Sequence, residues 1–170
     1  MKKGSRHPGR RGSGLTGVFT ASSHKRHMRV IRRVFLRSVS AMILSVDDES
    51  DITDLVSFHL TRAGYEVTTA ASGREALDAV QARRPDLILL DLMLPDIDGF
   101  GVCEILRRTP DTATIPIVIV SAWSTTDTRE LGLELGALDY MTKPFSPRDL
   151  TERVRHLLNL RSTRQSKAIS

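Results

Sequence analysis

The sequence predicts an α/β protein built on a five-stranded parallel sheet with helices on both faces. The prediction rests on five short apolar or β-rich runs that alternate with stretches of helical periodicity. Some of these runs, such as LILL at 87–90, are apolar throughout, which is typical of strands that are covered on both faces. The predicted strands span 42–46, 65–69, 87–90, 115–120 and 138–142.

Helices are predicted between these strands. Apolar residues recur at helical spacing from Ile52 to Leu60, and Gly64 follows where a helix commonly ends. SGRE at 72–75 and SPRD at 146–149 each place a serine before a helix and an acidic residue three positions later, which is the pattern of a capping box. The predicted helices span 50–62, 73–83, 99–108, 127–135 and 147–160.

Charge is segregated along the chain. Residues 1–40 contain eleven Lys and Arg and no Asp or Glu, whereas residues 41–160 contain eleven basic residues and all 20 acidic ones. The net charge of +5 therefore conceals an acidic body, and it does not by itself indicate a nucleic-acid binder. No apolar run reaches the roughly 18 residues that cross a bilayer, so we expect no membrane insertion. A single cysteine agrees with a reducing, cytoplasmic compartment.

Composition divides the chain into three segments: a basic extension at 1–40, a folded domain at 41–160 and a short polar tail at 161–170. We expect the extension either to be disordered or to precede a true start at Met42, where the first strand begins. An arm that binds nucleic acid is the alternative, because its positive charges would attract phosphates. We expect no other contact with nucleic acid. The tail is too short for an output domain, which predicts a single-domain protein that acts through protein contacts.

Reactive side chains follow four of the predicted strands. In an open α/β sheet the functional site lies outside the carboxyl ends of the strands. Clustered carboxylates suit a hard cation, of which Mg²⁺ fits best, and a metal, a hydroxyl and an ammonium group together suit a phosphoryl group. Asp91 would then accept phosphate as a nucleophile. The side chains at the strand ends are Asp47, Asp48 and Glu49, then Asp91, then Ser121, and finally Lys143.

Four segments, taken in order, resemble the receiver domain of two-component response regulators over residues 42–160. They are ILSVDDE, PDLILLDLMLPDIDGF, IPIVIVSA and LELGALDYMTKPF. The resemblance implies a doubly wound, flavodoxin-like sheet with strand order 2-1-3-4-5. It also implies a phosphorelay, in which a sensor histidine kinase or a histidine phosphotransfer protein donates the phosphoryl group. A downstream protein target then reads the surface formed by helix 4, strand 5 and helix 5.

The resemblance assigns roles to the residues of the predicted metal site. Asp91 matches the phosphoacceptor and also a metal ligand. Asp47 and Asp48 match the acidic pair that holds Mg²⁺, and the backbone carbonyl of Met93 matches a further ligand.

The remaining roles concern the phosphoryl group and its surroundings. Ser121 and Lys143 match the hydroxyl and ammonium groups that contact it, and Ser121 and Tyr140 match the switch pair. Pro144 matches a proline that commonly follows a cis peptide bond. Ala122 and Trp123 lie at the rim of the site. We expect a bulky Trp123 together with Met93 to slow the loss of phosphate, although a rim residue without a kinetic role is an equal alternative.

The rival enzyme class is an aspartyl-phosphate phosphatase, which shares the nucleophile and the metal. Such enzymes carry a D-x-D-x-T pattern, whereas Met93 stands here where the second acid is required. We therefore expect a phosphoacceptor that phosphorylates itself only from small donors and dephosphorylates itself slowly, not an enzyme that turns over a separate substrate.

Overall fold

The computed structural model describes residues 40–168, with side chains described as far as residue 160. The predictions for residues 1–39 lie outside this range. Strands and helices alternate throughout the described part. In chain order the elements are β1 (Met42–Val46), α1 (Ser50–Arg62), β2 (Glu66–Ala70), α2 (Gly73–Ala82), β3 (Leu87–Leu90), α3 (Gly99–Arg108), β4 (Ile117–Ser121), α4 (Thr126–Glu134), β5 (Asp139–Thr142) and α5 (Pro147–Ala168).

The five strands form one parallel sheet with the order β2-β1-β3-β4-β5, so the predicted fold class and strand order are confirmed. Val46, the last residue of β1, pairs with Ala70 on one side and with Leu90 on the other. Ser121, the last residue of β4, pairs with Thr142. This register brings the carboxyl ends of the strands to one edge of the sheet.

Alternate residues of the central strands pack into two separate cores on opposite faces of the sheet, as the two-residue period of a strand requires. On one face Ile43 packs in a cluster with side chains of α1 and α5, and on the other face Leu44 packs with α2 and α3. A third, smaller cluster contains Leu92, Ile119 and Tyr140. The central strands are thus buried on both faces, and this anchors the residues that follow them.

The serine half of the first predicted capping box is present, while Glu75 reaches the residue before the N-cap. The Ser72 hydroxyl accepts a hydrogen bond from the amide of Glu75 (3.2 Å), while the Glu75 carboxylate accepts one from the amide of Ala71 (2.9 Å). At α5 the Ser146 hydroxyl accepts a hydrogen bond from the amide of Asp149 (3.4 Å). The two serine contacts satisfy amides that the first turn of a helix leaves without partners.

Two predicted elements have a boundary that is wrong by more than one residue, each for an identifiable reason. The strand predicted at 115–120 begins only at Ile117, because Pro116 has no amide hydrogen to donate to the sheet, and it continues to Ser121. The helix predicted to end at 160 continues to Ala168, so most of the expected polar tail is helical. Its sequence RSTRQSKA contains neither glycine nor proline to stop a helix. Within residues 40–168, no helix combines the length and the apolar character needed to cross a bilayer.

Candidate functional site

The backbone of the sheet continues beyond the strand ends and fixes two aspartates. The amide of Asp91 donates to the carbonyl of Val46 (2.9 Å), and the amide of Asp47 donates to the carbonyl of Ala70 (3.0 Å). Both side chains are buried, with exposed residue fractions of 3% for Asp91 and 4% for Asp47. An apolar strand therefore holds each carboxylate in a position that it would not otherwise favour.

The predicted acidic residues lie together. Oxygen atoms of Asp47, Asp48 and Asp91 lie within 4.8 Å of one another, and these three residues form a candidate metal-binding group in the described part of the chain. Asp48 is exposed, so the group is open to solvent on one side. Residues from β1 and β3 thus meet at the carboxyl edge of the sheet.

Lys143 is the cation that faces these carboxylates. Its Nζ lies 2.7 Å from Oδ2 of Asp47, 2.9 Å from Oδ2 of Asp91 and 3.1 Å from Oε1 of Glu49. Burial lowers the pKa of Lys143, but the hydrogen bonds to the three carboxylates outweigh burial and raise it overall. Lys143 therefore carries a full positive charge at neutral pH.

The site nevertheless keeps an excess of negative charge. Burial raises the pKa of Asp47 even though the hydrogen bond from Lys143 and the amide of Glu49 act in the opposite direction. One ammonium group faces Asp47, Asp91 and Glu49, with Asp48 close by. A hard divalent cation that takes carboxylate oxygens and water would balance the remainder, so the donor set fits Mg²⁺.

The other predicted side chains form the neighbouring half of the site. Ser121 is fully buried at the end of β4, and its carbonyl accepts a hydrogen bond from the amide of Lys143 (2.8 Å). Tyr140 is also buried, and its hydroxyl donates to the carbonyl of Trp123 (2.6 Å). Burial raises the pKa of Tyr140, while a hydrogen bond with Ser121 lowers it in part. Tyr140 thus points into the protein and contacts the segment that follows Ser121.

The rim is more open. Met93 and Trp123 are 51% and 47% exposed, and Ala122 is exposed between Ser121 and Trp123. The amide of Met93 lies 3.3 Å from Oδ1 of Asp91. The peptide bond between Lys143 and Pro144 is cis.

Two contacts were not assigned a role from the sequence. Glu49 reaches Lys143, and the only sequence signal for this contact is its place in the acidic run DDE. The guanidinium of Arg129, on α4, donates to the carbonyl of Tyr140 (3.3 Å) and lies 5.9 Å from the centre of the Tyr140 ring. No pattern in the sequence of α4 marks this arginine, because the contact depends on how α4 packs beside β5.

A family model described as the response regulator receiver domain matches residues 43–155. The chain belongs to the response regulator receiver family. Among curated relatives, this receiver is 49% identical over 116 residues to a probable transcriptional regulator, ycf27, of Cyanophora paradoxa, covering 68% of this chain and 47% of that protein. It is also 49% identical to the alkaline phosphatase synthesis transcriptional regulatory protein PhoP of Bacillus subtilis, covering 68% of this chain and 48% of PhoP. The chain thus spans about half the length of these relatives.

Solved structures agree with this family. The receiver superposes on the chemotaxis protein CheY4 of Vibrio cholerae with a TM-score of 0.66 and 35% identity, covering 69% of this chain and 98% of that one. A CheY-like receiver domain protein of Methanospirillum hungatei gives a TM-score of 0.70 at 29% identity, covering 74% and 99%. The protein therefore has the receiver domain of phosphorelay signalling.

Proposed function

We propose that this protein is a phosphorelay phosphoacceptor in which Asp91 takes a phosphoryl group with the help of Mg²⁺. The observation that supports this most strongly is the meeting of Asp91, Asp47 and Asp48 with Lys143 at one edge of the sheet. The phosphoryl donor is a phosphohistidine of a sensor kinase or of a phosphotransfer protein.

In the proposed transfer, a carboxylate oxygen of Asp91 forms a new bond to phosphorus. The bond between phosphorus and the imidazole nitrogen of the donor breaks, and its electron pair remains on that nitrogen. The ammonium group of Lys143, 2.9 Å from the Asp91 carboxylate, neutralises charge on the phosphoryl oxygens. Asp47, Asp48, Asp91 and the carbonyl of Met93 would hold Mg²⁺, which when bound would screen the phosphoryl charge from the carboxylates.

The signal passes from the phosphoryl group through Ser121 and Tyr140 to the face formed by α4, β5 and α5. The hydroxyl of Ser121 donates to the new phosphoryl oxygens, and the segment through Trp123 follows it. The carbonyl of Trp123 already holds the Tyr140 hydroxyl in its inward position, so this motion would further stabilise that position. For a near-complete shift, the phosphoryl group must interact with the favoured state about 5 kcal/mol more strongly than with the other state.

The test is labelling by acetyl phosphate in Mg²⁺, followed by intact mass. Wild type should gain one phosphoryl group, whereas Asp91→Asn should gain none. Asp111→Asn is the matched control, because it removes an equivalent charge at an exposed position on the α3–β4 connection. Equal labelling of wild type and Asp91→Asn would disprove the proposal.

The same reaction separates an acceptor from an enzyme. We propose that the protein does not turn over a separate substrate, because the D-x-D-x-T pattern of aspartyl-phosphate phosphatases is missing its second acid at Met93. An acceptor releases about one equivalent of acetate and then slows to its hydrolysis rate. Sustained hydrolysis of a phosphate ester at many turnovers per molecule would favour the phosphatase.

The exposed rim suggests control of how long the label lasts. Trp123 and Met93 are the large apolar side chains that flank Asp91 and Ser121, and both stand about half exposed. If they hinder the approach of water to the phosphoryl group, Trp123→Ala should shorten the lifetime of the label several-fold. An unchanged or longer lifetime would show that Trp123 has no kinetic role.

A second candidate function uses the basic extension. The eleven Lys and Arg within residues 1–40, and the relatives that are transcriptional regulators, favour nucleic acid as a further partner. Binding to a DNA duplex should then weaken steeply between 50 and 200 mM salt. Substituting Arg32, Arg33 and Arg37 together by Ala should reduce both the affinity and this salt dependence.

A further inference from the structure

The loop between β3 and α3 carries the proposed acceptor and the proposed metal-binding carbonyl. Its end at α3 packs closely against its beginning, whereas its middle is exposed. At the start of α3, a side chain on Gly99 would place its Cβ 2.2 Å from the carbonyl oxygen of Asp91, and the Gly99 amide donates to the Leu92 carbonyl (3.1 Å). The middle of the loop is exposed, since half of the Met93 surface faces solvent. Within the loop, the amide of Met93 lies 3.3 Å from Oδ1 of Asp91, and a further contact reaches the loop from outside it.

Asp96 provides that contact. Its Oδ1 accepts a hydrogen bond from the amide of Gly73 (3.0 Å), and its Oδ2 accepts one from the amide of Arg74 (3.3 Å). These amides belong to the first turn of α2, where amides have no partner within the helix and a negative charge is favoured. Asp96 also accepts from the amide of Ile97, and these hydrogen bonds, with that from Ile97 the largest, lower the pKa of the carboxyl. An ionised side chain thus ties the loop to a helix that is remote in sequence.

The backbone on both sides of this contact is adapted to it. Asp96 has φ = 68°, in the left-handed region that Asp tolerates better than most residues. On the helix side, a Cβ on Gly73 would lie 2.2 Å from the carbonyl oxygen of Ile97. The close approach therefore requires glycine at 73 and a residue that accepts positive φ at 96.

The helix that receives the contact is itself rigidly placed. Ala76 and Val80 of α2 are buried in the core with strand β1, and Ile97 packs against the same cluster. The loop is thus anchored to the sheet in two ways, through its contact with α2 and through its direct connection to β3.

We propose that Asp96 and Gly73 are positioning residues that use the N-terminus of α2 to hold the Met93 carbonyl at the Mg²⁺ site. Neither residue touches the metal. This inference rests on the proposed Mg²⁺ site and adds a determinant of its affinity. Residues that orient a metal ligand without binding the metal typically contribute 10- to 100-fold in affinity.

The test is titration with Mg²⁺ monitored by backbone amide chemical shifts, which also report whether each variant is folded. Asp96→Gly keeps the positive φ but removes the carboxylate, and it should weaken Mg²⁺ binding about 10-fold. Without Mg²⁺ it should also shift the amides of residues 92–94, which precede Pro95. Asp96→Asn keeps one oxygen acceptor but loses the charge and the second acceptor, so it should weaken Mg²⁺ binding by less than Asp96→Gly does.

Glu75→Ala is the matched control, because it removes an equal charge and a capping contact at the same helix end but touches only Ala71. Its Mg²⁺ affinity should equal that of wild type. The proposal is overturned if Asp96→Gly binds as tightly as wild type, or if Glu75→Ala or Asp96→Asn weakens binding as much as Asp96→Gly does. Failure of the wild type to bind Mg²⁺ would instead remove the proposed metal site itself.

Discussion

Helices α3 and α4 have similar lengths, ten and nine residues, but they are attached to the sheet very differently. In α3 the buried residues are Gly99, Val102, Cys103 and Leu106, whereas in α4 the one buried residue is Gly132. The small cluster beside α4 comes mainly from neighbouring elements.

The difference in buried apolar surface predicts that α4 is more mobile than α3. A segment with little buried apolar surface opens or shifts at a lower free energy than one anchored in the core. Helix α3 follows the loop that carries the proposed acceptor, Asp91. Helix α4 follows Ser121 and contacts Tyr140 through Arg129, which places it beside the proposed switch pair. The predictions below test this contrast, beginning with the largest effect.

Thiol labelling should show the contrast most strongly. Cys103 of α3 is fully buried, and burial raises the pKa of its thiol, so a reagent reaches it only when α3 opens. A cysteine placed at exposed Glu130 of α4, in a Cys103→Ala background, should react at least about a thousandfold faster, equivalent to about 4 kcal/mol. Similar rates at the two positions would mean that α3 is no better anchored than α4.

Of the two helices, only α3 should lose much unfolding free energy when an apolar side chain is truncated. Leu106 is 3% exposed, and Leu106→Ala should lower the free energy of unfolding by about 3 kcal/mol. Leu131 of α4 is 43% exposed, and Leu131→Ala should change it by less than about 0.5 kcal/mol. Urea denaturation measures both values, and equal losses would refute the contrast.

Arg107 adds a polar anchor at the end of α3. Its guanidinium donates to the carbonyl oxygens of Ala113, Ile115 and Gly136, at distances of 2.8 to 3.0 Å. Arg107→Met leaves these acceptors without a donor and should cost about 2 kcal/mol of unfolding free energy. Arg108, which pairs with Glu104 on the surface, is the control, and Arg108→Met should cost under about 0.5 kcal/mol.

The smallest effect concerns the single hydroxyl that joins Tyr140 to Trp123. Tyr140→Phe removes this hydrogen bond, worth about 1 kcal/mol, and should speed amide hydrogen exchange in α4 about fivefold. Exchange in α3 should not change. Tyr65→Phe, in the cluster of the opposite layer, should leave α4 unaffected. Unchanged α4 exchange in Tyr140→Phe would show that this bond does not hold the helix.

Much of the fold and of the site could be predicted from local sequence patterns. Apolar runs and capping residues predict the elements, and each acidic or hydroxyl residue of the site directly follows a run that reads as a strand. Contacts between elements that are distant in sequence could not be predicted in this way. The tie from Asp96 to α2 and the bonds of Arg107 depend on where loops meet after the sheet has formed. The weak burial of α4 was hidden as well, because its sequence contains leucines that prove to be exposed.

Trp123 gives the protein an intrinsic optical probe. It is the only tryptophan in the chain, it is about half exposed, and its carbonyl holds the Tyr140 hydroxyl. Indole emission depends on the polarity around the ring, so a displacement of this segment would change the emission without any added dye. The residue that would limit the access of water to Asp91 would therefore also report, in real time, when the segment beside it moves.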